Sequence, residues 1–426
     1  MTESTRDPSS RPRRTPTLLL NAQYLPTSHD WRTPQGRAHS PFDVDTFIRQ
    51  AQQAEDAGFD AIFQADFSGV NREGLRSGPP LSAFEPFQMS ALVASATSRI
   101  AVMPTVSTLY THPFTFARNL ASLDRIAGGR AWVNVVSSFR GGTAIGITRD
   151  IDRQNRHLQT EEFLALARSL WESWPPRANV VDAVGGRFIR DDLVTDVEHS
   201  GQFYEQHGPI DTAPYSPEFP FTLQATSSLE GLRLAARTAD AVFVGTPTIG
   251  AAQQLRRILR AEVKRAGRGE DSVALLPGAF VHILDESVGG KEWSARPQVL
   301  QLPGAHAALG QLRSRYPGLR LRGVGPSDPL PADVIDDDPD VVFETLGSHY
   351  LPLWDIARKP GQSVADFAVA VASLGEHARF VGTAEQVGEE LRRWYDEGGV
   401  DGFQFILGNR FETVCDRVVP RLLGVG

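Results

Sequence analysis

Short apolar stretches alternate with amphipathic ones along almost the whole chain, and this alternation constrains the fold more than any other feature. Strand candidates fall at Thr17–Leu25, Asp60–Phe67, Ile100–Thr108, Ala131–Ser138, Phe221–Thr226, Ala241–Gly245, Val273–Leu284 and Gly402–Leu407. Between them, apolar residues recur at helical spacing over Val44–Ala57, Glu85–Thr97, Phe114–Ala127, Glu161–Trp174, Leu229–Asp240, Ala251–Arg265 and Ala384–Glu397. Gly58 and the pair Gly128-Gly129 stand where two of these helices should stop. A strand, a helix and a further strand in sequence make a right-handed crossover with parallel strands. About eight such units predict an α/β protein of the (β/α)8 TIM-barrel class. A doubly wound open sheet competes, but no GxGxxG follows the first strand.

The reading predicts one barrel domain over 17–426, with a disordered tail at 1–16 rich in Ser, Thr, Pro, Arg and acids. Two insertions interrupt the alternation, at about 139–220 and 285–370. Loops of that length in a compact domain are usually functional or disordered. The second contains the acidic run Asp333–Asp340, read as a solvated face.

Composition narrows the chemistry. A net charge of −8 disfavours general binding to nucleic acid or to anionic membranes. Cys415 is the single cysteine, which excludes internal disulfides and disfavours a thiolate metal site; a buried small apolar residue is the simpler reading. No stretch is long and apolar enough for a signal peptide or a membrane span, so a cytoplasmic protein is expected. There is no HExxH, CxxC or GxSxG, and His29-Asp30 is an adjacent pair rather than a metal spacing.

Strand alternation predicts polar groups converging inside the barrel. Sharing a face on the second strand are Ile62, Gln64 and Asp66, and on the third Met103, Thr105 and Ser107. The fourth offers Trp132, Asn134, Val136 and Ser138, the fifth Thr222, Gln224 and Thr226, and the eighth Gln404 between Phe403 and Phe405. These amides and hydroxyls suit recognition of a polar heterocycle better than a metal. At the end of the fifth strand, Ser227 and Ser228 precede a helix starting at Leu229. Two hydroxyls at a helix N-terminus suit a phosphate. Simple capping of the helix explains the same residues.

These segments together resemble a known family. Leu123-Asp124-Arg125-Ile126-Ala127-Gly128-Gly129-Arg130 followed by Trp132-Val133-Asn134-Val135-Val136-Ser137-Ser138 resembles a signature of the bacterial-luciferase-like flavin monooxygenases, in the nitrilotriacetate/EDTA and dibenzothiophene-sulfone monooxygenase branch. His29-Asp30-Trp31-Arg32, Ala65-Asp66-Phe67, Thr105–Tyr110, Gln224–Ser228 and Gly382–Val387 match further segments in order. The resemblance runs from about residue 17 to the end.

It implies a (β/α)8 barrel holding FMN, reduced by a separate NAD(P)H:flavin reductase, and oxygenation of a small organic substrate by O2 through a flavin C4a-(hydro)peroxide. Asp66, Thr105 or Ser107, and Asn134 would border the isoalloxazine ring, and Ser227 and Ser228 would hold the phosphate. Where the branch has His-Asp-x-Arg-Tyr before Glu-Glu-Phe, this chain has Arg153-Gln154-Asn155-Arg156-His157 before Glu161-Glu162-Phe163. Arg156 is retained, Arg153 brings a charge near the phosphate, and His157 brings a group that titrates near neutrality. His29, Asn134 and His157 are the candidates for tuning protonation during the reaction. A homodimer is implied by analogy. An F420-dependent hydride transferase, a flavin-degrading lyase and a non-catalytic flavin carrier are the alternatives.

Overall fold

A computed structural model describes residues 18–21, 42–66, 84–137, 153–226, 228–284, 305–374, 377–407 and 411–424. They group into two compact units: residues up to Ala225 with Thr238–Asp240, and Thr226–Arg237 with residues from Ala241 on. The expectations for the 1–16 tail, His29 and Ser227 fall outside the described residues.

The first unit is built on a parallel sheet. Its strands are β1 (Leu18–Asn21), β2 (Ala61–Gln64), β3 (Ala101–Ser107) and β4 (Val133–Val136). Three helices connect them: α1 (Val44–Ala57), α2 (Pro86–Ala96) and α3 (Pro113–Ala127). Each starts where the sequence supplies a cap. Asp43 accepts from the Asp45 N–H, Glu85 from that of Gln88, and His112 from that of Phe114. Proline at the first position of α2 and α3 costs nothing there, because that N–H has no partner in a helix. α1 ends at Gly58 with φ 93°, a left-handed conformation that glycine adopts without a Cβ clash. α1 buries Phe47, Ala51 and Ala54, one helical face, against the sheet.

The region expected as the first insertion begins with helix α4 (Arg153–Glu172), which starts eight residues before the predicted Glu161. Two small hairpins follow, β5 (Asn179–Asp182) with β6 (Arg187–Ile189) and β7 (His199–Ser200) with β8 (Glu205–Gln206). The chain then re-enters the sheet as β9 (Thr222–Ala225), parallel to β4.

In the second unit, α5 (Leu229–Thr238) leads to β10 (Ala241–Val244), α6 (Ile249–Arg265) and β11 (Ala274–Ile283). The second insertion, expected as long loops, carries four helices, α7 (Ala305–Arg315), α8 (Pro339–Leu346), α9 (Leu351–Ala357) and α10 (Val364–Ser373), with an irregular stretch at 316–338 between the first two. The acidic run supplies Asp338 as the cap of α8, and Asp340 accepts two bonds from Arg257 at 2.8 Å each. A strand absent from the sequence reading follows, β12 (Ala378–Gly382), then α11 (Ala384–Glu397) and β13 (Phe403–Leu407). β12 is five residues long with exposed Arg379 inside it, too short and mixed to stand out as a period. β11 pairs in parallel with β10 along its first half, and with β12 and β13 along its second. The chain closes in α12, residues 411–423, with a π-helical turn at Val414–Val418. Cys415 is buried there, and burial pushes its thiol up to about 12.

Candidate active site

Thr105 on β3 and Asn134 on β4 stand opposite each other in register. Thr105 Oγ1 donates to the Gln64 carbonyl at 2.7 Å, and Asn134 Nδ2 donates to Thr105 Oγ1 at 2.9 Å. Both side chains are buried. A carbonyl only accepts, so the one hydroxyl proton of Thr105 is committed to Gln64. Its oxygen can then only accept, and the amide of Asn134 must offer its NH2 to it. That orientation leaves Asn134 Oδ1 without a hydrogen-bond partner among the described residues, and Ser107 Oγ, two residues along β3, is in the same condition. A buried unpaired polar atom costs about 1–3 kcal/mol, so two on one face of the sheet, on neighbouring strands, mark a place suited to a ligand.

Register also fixes which side chains share that face. Phe63 pairs with Met103, Thr105 with Asn134, and Asn134 with Leu223. Gln64 pairs with Pro104 and Gln224 with Val135, so both glutamines point the other way. Ile62, Gln64 and Val102 pack there with Phe47 of α1 and Met89, Ser90 and Val93 of α2. Gln64 Nε2 reaches the Phe84 carbonyl at 3.4 Å, Gln224 Nε2 reaches Thr238 Oγ1 at 2.8 Å, and Thr222 Oγ1 donates to the Pro220 carbonyl at 3.1 Å. The expectation that Gln64, Thr222 and Gln224 join the converging set is therefore corrected. Each strand's own alternation was right, but its phase relative to its neighbours is invisible in sequence, and one residue of phase exchanges the faces. Asp66 lies two residues beyond β2 and is half-buried.

The start of α4 is tied to the end of β3. Thr160 Oγ1 donates to the Arg156 carbonyl at 2.9 Å and so accepts from Thr108 Oγ1 at 2.7 Å. Thr108 directly follows Ser107, and its N–H donates to the Val136 carbonyl of β4 at 3.1 Å. The turn carrying half-buried Arg156 and His157 is thereby fixed beside the ends of β3 and β4. Arg153 opens the same helix. Tyr204, from the β7–β8 hairpin, donates to the Thr108 carbonyl at 3.1 Å and accepts from Gln159 Nε2 at 3.0 Å. Sequence reasoning missed Thr108, Gln159, Thr160 and Tyr204, because these contacts join positions far apart in the chain, Thr108 and Tyr204 by 96 residues.

The Leu123–Arg130 signature also acquires a physical role. Asp124 is buried and accepts from the Ser216 N–H at 2.7 Å and the Ser216 hydroxyl at 3.2 Å. Burial raises its carboxyl above the usual range, the bonds from Ser216 opposing it. Arg125 donates to the carbonyls of Ala213, at 2.9 Å, and Pro214, at 3.3 Å. The motif fastens the returning end of the first insertion onto α3.

In the second unit, Ser228 Oγ accepts from the Gly231 N–H at 3.1 Å, so it caps α5. A Cβ at Gly231 would fall 1.8 Å from Thr226 Oγ1, so only glycine lets that hydroxyl lie against the first turn. Gln404 on β13 is fully buried with neither amide atom paired among the described residues, while Phe403 and Phe405 pack on the opposite face. Among the described residues, no group of three His, Cys, Asp or Glu could hold a metal, and no helix is long and apolar enough to cross a membrane.

The family model for luciferase-like monooxygenases matches residues 24–337. The chain belongs to the luciferase-like monooxygenase family. It is thereby an enzyme of a flavin-dependent oxidoreductase family whose members use reduced flavin and O2. Among luciferase-like relatives, it is 29% identical over 398 residues to N-acetyl-S-(2-succino)cysteine monooxygenase of Bacillus subtilis, covering 92% of this chain and 88% of that protein. It is 26% identical over 407 residues to nitrilotriacetate monooxygenase component A of Aminobacter aminovorans, covering 92% and 88%. The structure of EDTA monooxygenase from Chelativorans sp. BNC1 matches at a TM-score of 0.76 and 24% identity, over 96% of this chain and 94% of that one. That likeness carries the fold, the α/β barrel class of the luciferase-like enzymes expected from the alternation.

Proposed function

We propose that this enzyme is the oxygenating component of a two-component system, which takes reduced FMN from a separate NAD(P)H:flavin reductase and uses O2 to oxygenate a small organic substrate. The observation that carries the reading is the buried Gln64–Thr105–Asn134 chain with its unpaired Asn134 Oδ1 and the neighbouring unpaired Ser107 Oγ. These groups fit the polar edge of an isoalloxazine. Family membership supports flavin as the ligand, and the name component A of one relative supports a divided system.

Bound reduced flavin supplies the electrons that activate O2. The chain's own residues bind and orient it. Ser107 and Asn134 would meet the ring, Thr105 would orient the Asn134 amide towards it, and Asp66 would lie at its edge. Arg156 and His157 lie on the turn that Thr108 and Thr160 hold beside the strand ends, and with Arg153 at the start of the same helix they are proposed to meet an anionic part of the ligand. Separately, Ser227 and Ser228 at the start of α5 are proposed to hold a phosphate. His29, Asn134 and His157 are proposed to hold or move protons at the substrate. Oxygen chemistry of this kind needs a dry pocket.

The test is anaerobic loading with reduced FMN, mixing with O2, and assay of a panel of organic acids, sulfides and sulfones for incorporation of labelled oxygen. An oxygen-dependent transient in flavin absorbance with a labelled product supports the reading. Binding of F420 with hydride transfer and no reaction with O2 overturns it.

A further inference from the structure

We propose that the Thr105–Asn134 pair makes the site select reduced over oxidised flavin through hydrogen-bond polarity, an inference that rests on the flavin reading above. The chain of donors runs one way. Asn134 Nδ2 gives to Thr105 Oγ1, and Thr105 gives to the Gln64 carbonyl, which ends the chain because it has no proton. The amide is therefore locked with Oδ1, a pure acceptor, as its free end. Asn134 is 2% exposed, so water cannot blur this preference by bridging freely. Ser107 carries no such polarity, since its hydroxyl gives or accepts with equal ease.

The flavin ring changes hydrogen-bond character at N5. Oxidised, N5 has a lone pair and accepts; fully reduced, N5 carries hydrogen and donates. An acceptor held against N5 meets a donor in the reduced state and another acceptor in the oxidised state. N3–H donates in both states and would give no selection, so the inference commits Asn134 Oδ1 to N5. Thr105 is a positioning residue: it does not touch the ring but dictates which end of the amide does.

The experiment compares affinities for FMN and for dithionite-reduced FMN, under anaerobic and mildly alkaline conditions in which N1 of the reduced ring is ionised and N5 is the donor that differs. The full chain is used throughout. Wild type is expected to bind reduced FMN at least about tenfold more tightly than oxidised FMN, equivalent to raising the two-electron potential of bound flavin by about 30 mV. Thr105→Val removes the lock, lets the amide turn over, and brings the ratio towards one. Thr105→Ser keeps the hydroxyl and keeps the ratio. Circular dichroism shows whether each variant is folded, and Asn134→Leu gives a second route to the same loss of ratio. Equal affinity of wild type for both forms, or an undiminished ratio in Thr105→Val, overturns the polarity inference and leaves flavin binding standing. Failure of wild type to bind either form overturns the flavin reading and the inference together.

Discussion

Glu162 Oε1 on α4 lies 3.0 Å from His199 Nε2, and the same carboxylate accepts the backbone N–H groups of Gln202, Phe203 and Tyr204 at 2.9–3.2 Å. One side chain thus ties the β7–β8 hairpin to the helix that carries Arg156 and His157. Burial alone would raise this carboxyl, but the bonds from His199, Tyr204, Phe203 and Gln202 outweigh it and hold it below the ordinary value of 4.5. A carboxyl lowered in the folded state contributes stability above its unfolded value and loses it as pH falls through the folded one. Amide exchange at Gln202–Tyr204 should therefore accelerate on acidification below about pH 4.5. Glu162→Gln should cost about 2 kcal/mol at neutral pH, because it loses the charge in these bonds, and should abolish the acid-dependent step. Exchange mass spectrometry across pH checks both.

Tyr204→Phe removes the hydroxyl that donates to the Thr108 carbonyl and accepts from Gln159. The expected loss is about 1 kcal/mol of stability. Faster exchange should appear in the hairpin and in the first turns of α4, with the sheet unaffected. Denaturant melts and exchange mapping measure this, and protection unchanged at residues 156–160 contradicts the link to Thr108.

The second unit has a buried counterpart. Arg256 makes two bonds to Asp401, and Asp401 Oδ2 also accepts the Leu275 N–H at 2.7 Å at the start of β11. Asp401→Ala leaves the buried Arg256 guanidinium with only its longer ion pair to Asp271, at 3.5 Å, and removes the partner of a strand N–H, so a loss of about 3 kcal/mol is expected in urea titrations. A loss under about 1 kcal/mol would mean the pair is solvent-screened.

Gly231→Ala places a Cβ where Thr226 Oγ1 now lies, 1.8 Å away. The turn before α5 must shift. If that turn holds a phosphate, the variant should bind FMN about tenfold more weakly and riboflavin, which has no phosphate, equally well. Parallel titrations with the two flavins separate this outcome from general unfolding, which lowers both.

Local chemistry made much of the fold legible. Thr383 and Gln386 form a reciprocal cap whose Thr-Ala-Glu-Gln pattern is plain in sequence, and α11 runs over the predicted residues. Asp43 and Gly58 bracket α1 in the same way. β12 was not legible, because a five-residue strand containing an exposed arginine has no period to read. In the candidate site, strand alternation and the family resemblance both single out Thr105 and Asn134, and the register sets them opposite each other. Gln64 and Gln224 were misplaced because alternation gives a face but not its direction. Thr108 and Tyr204 were missed because nothing local links residues that only the folded hairpin brings together.

The account depends most on a reduced flavin meeting the Asn134 amide. Anaerobic titration of wild type and Asn134→Ala with reduced FMN, followed by flavin fluorescence and absorbance, tests this directly. Saturable binding by wild type, weakened about tenfold or more in a folded Asn134→Ala, is the predicted result. Identical affinities in the two proteins, or no binding by wild type, would contradict it.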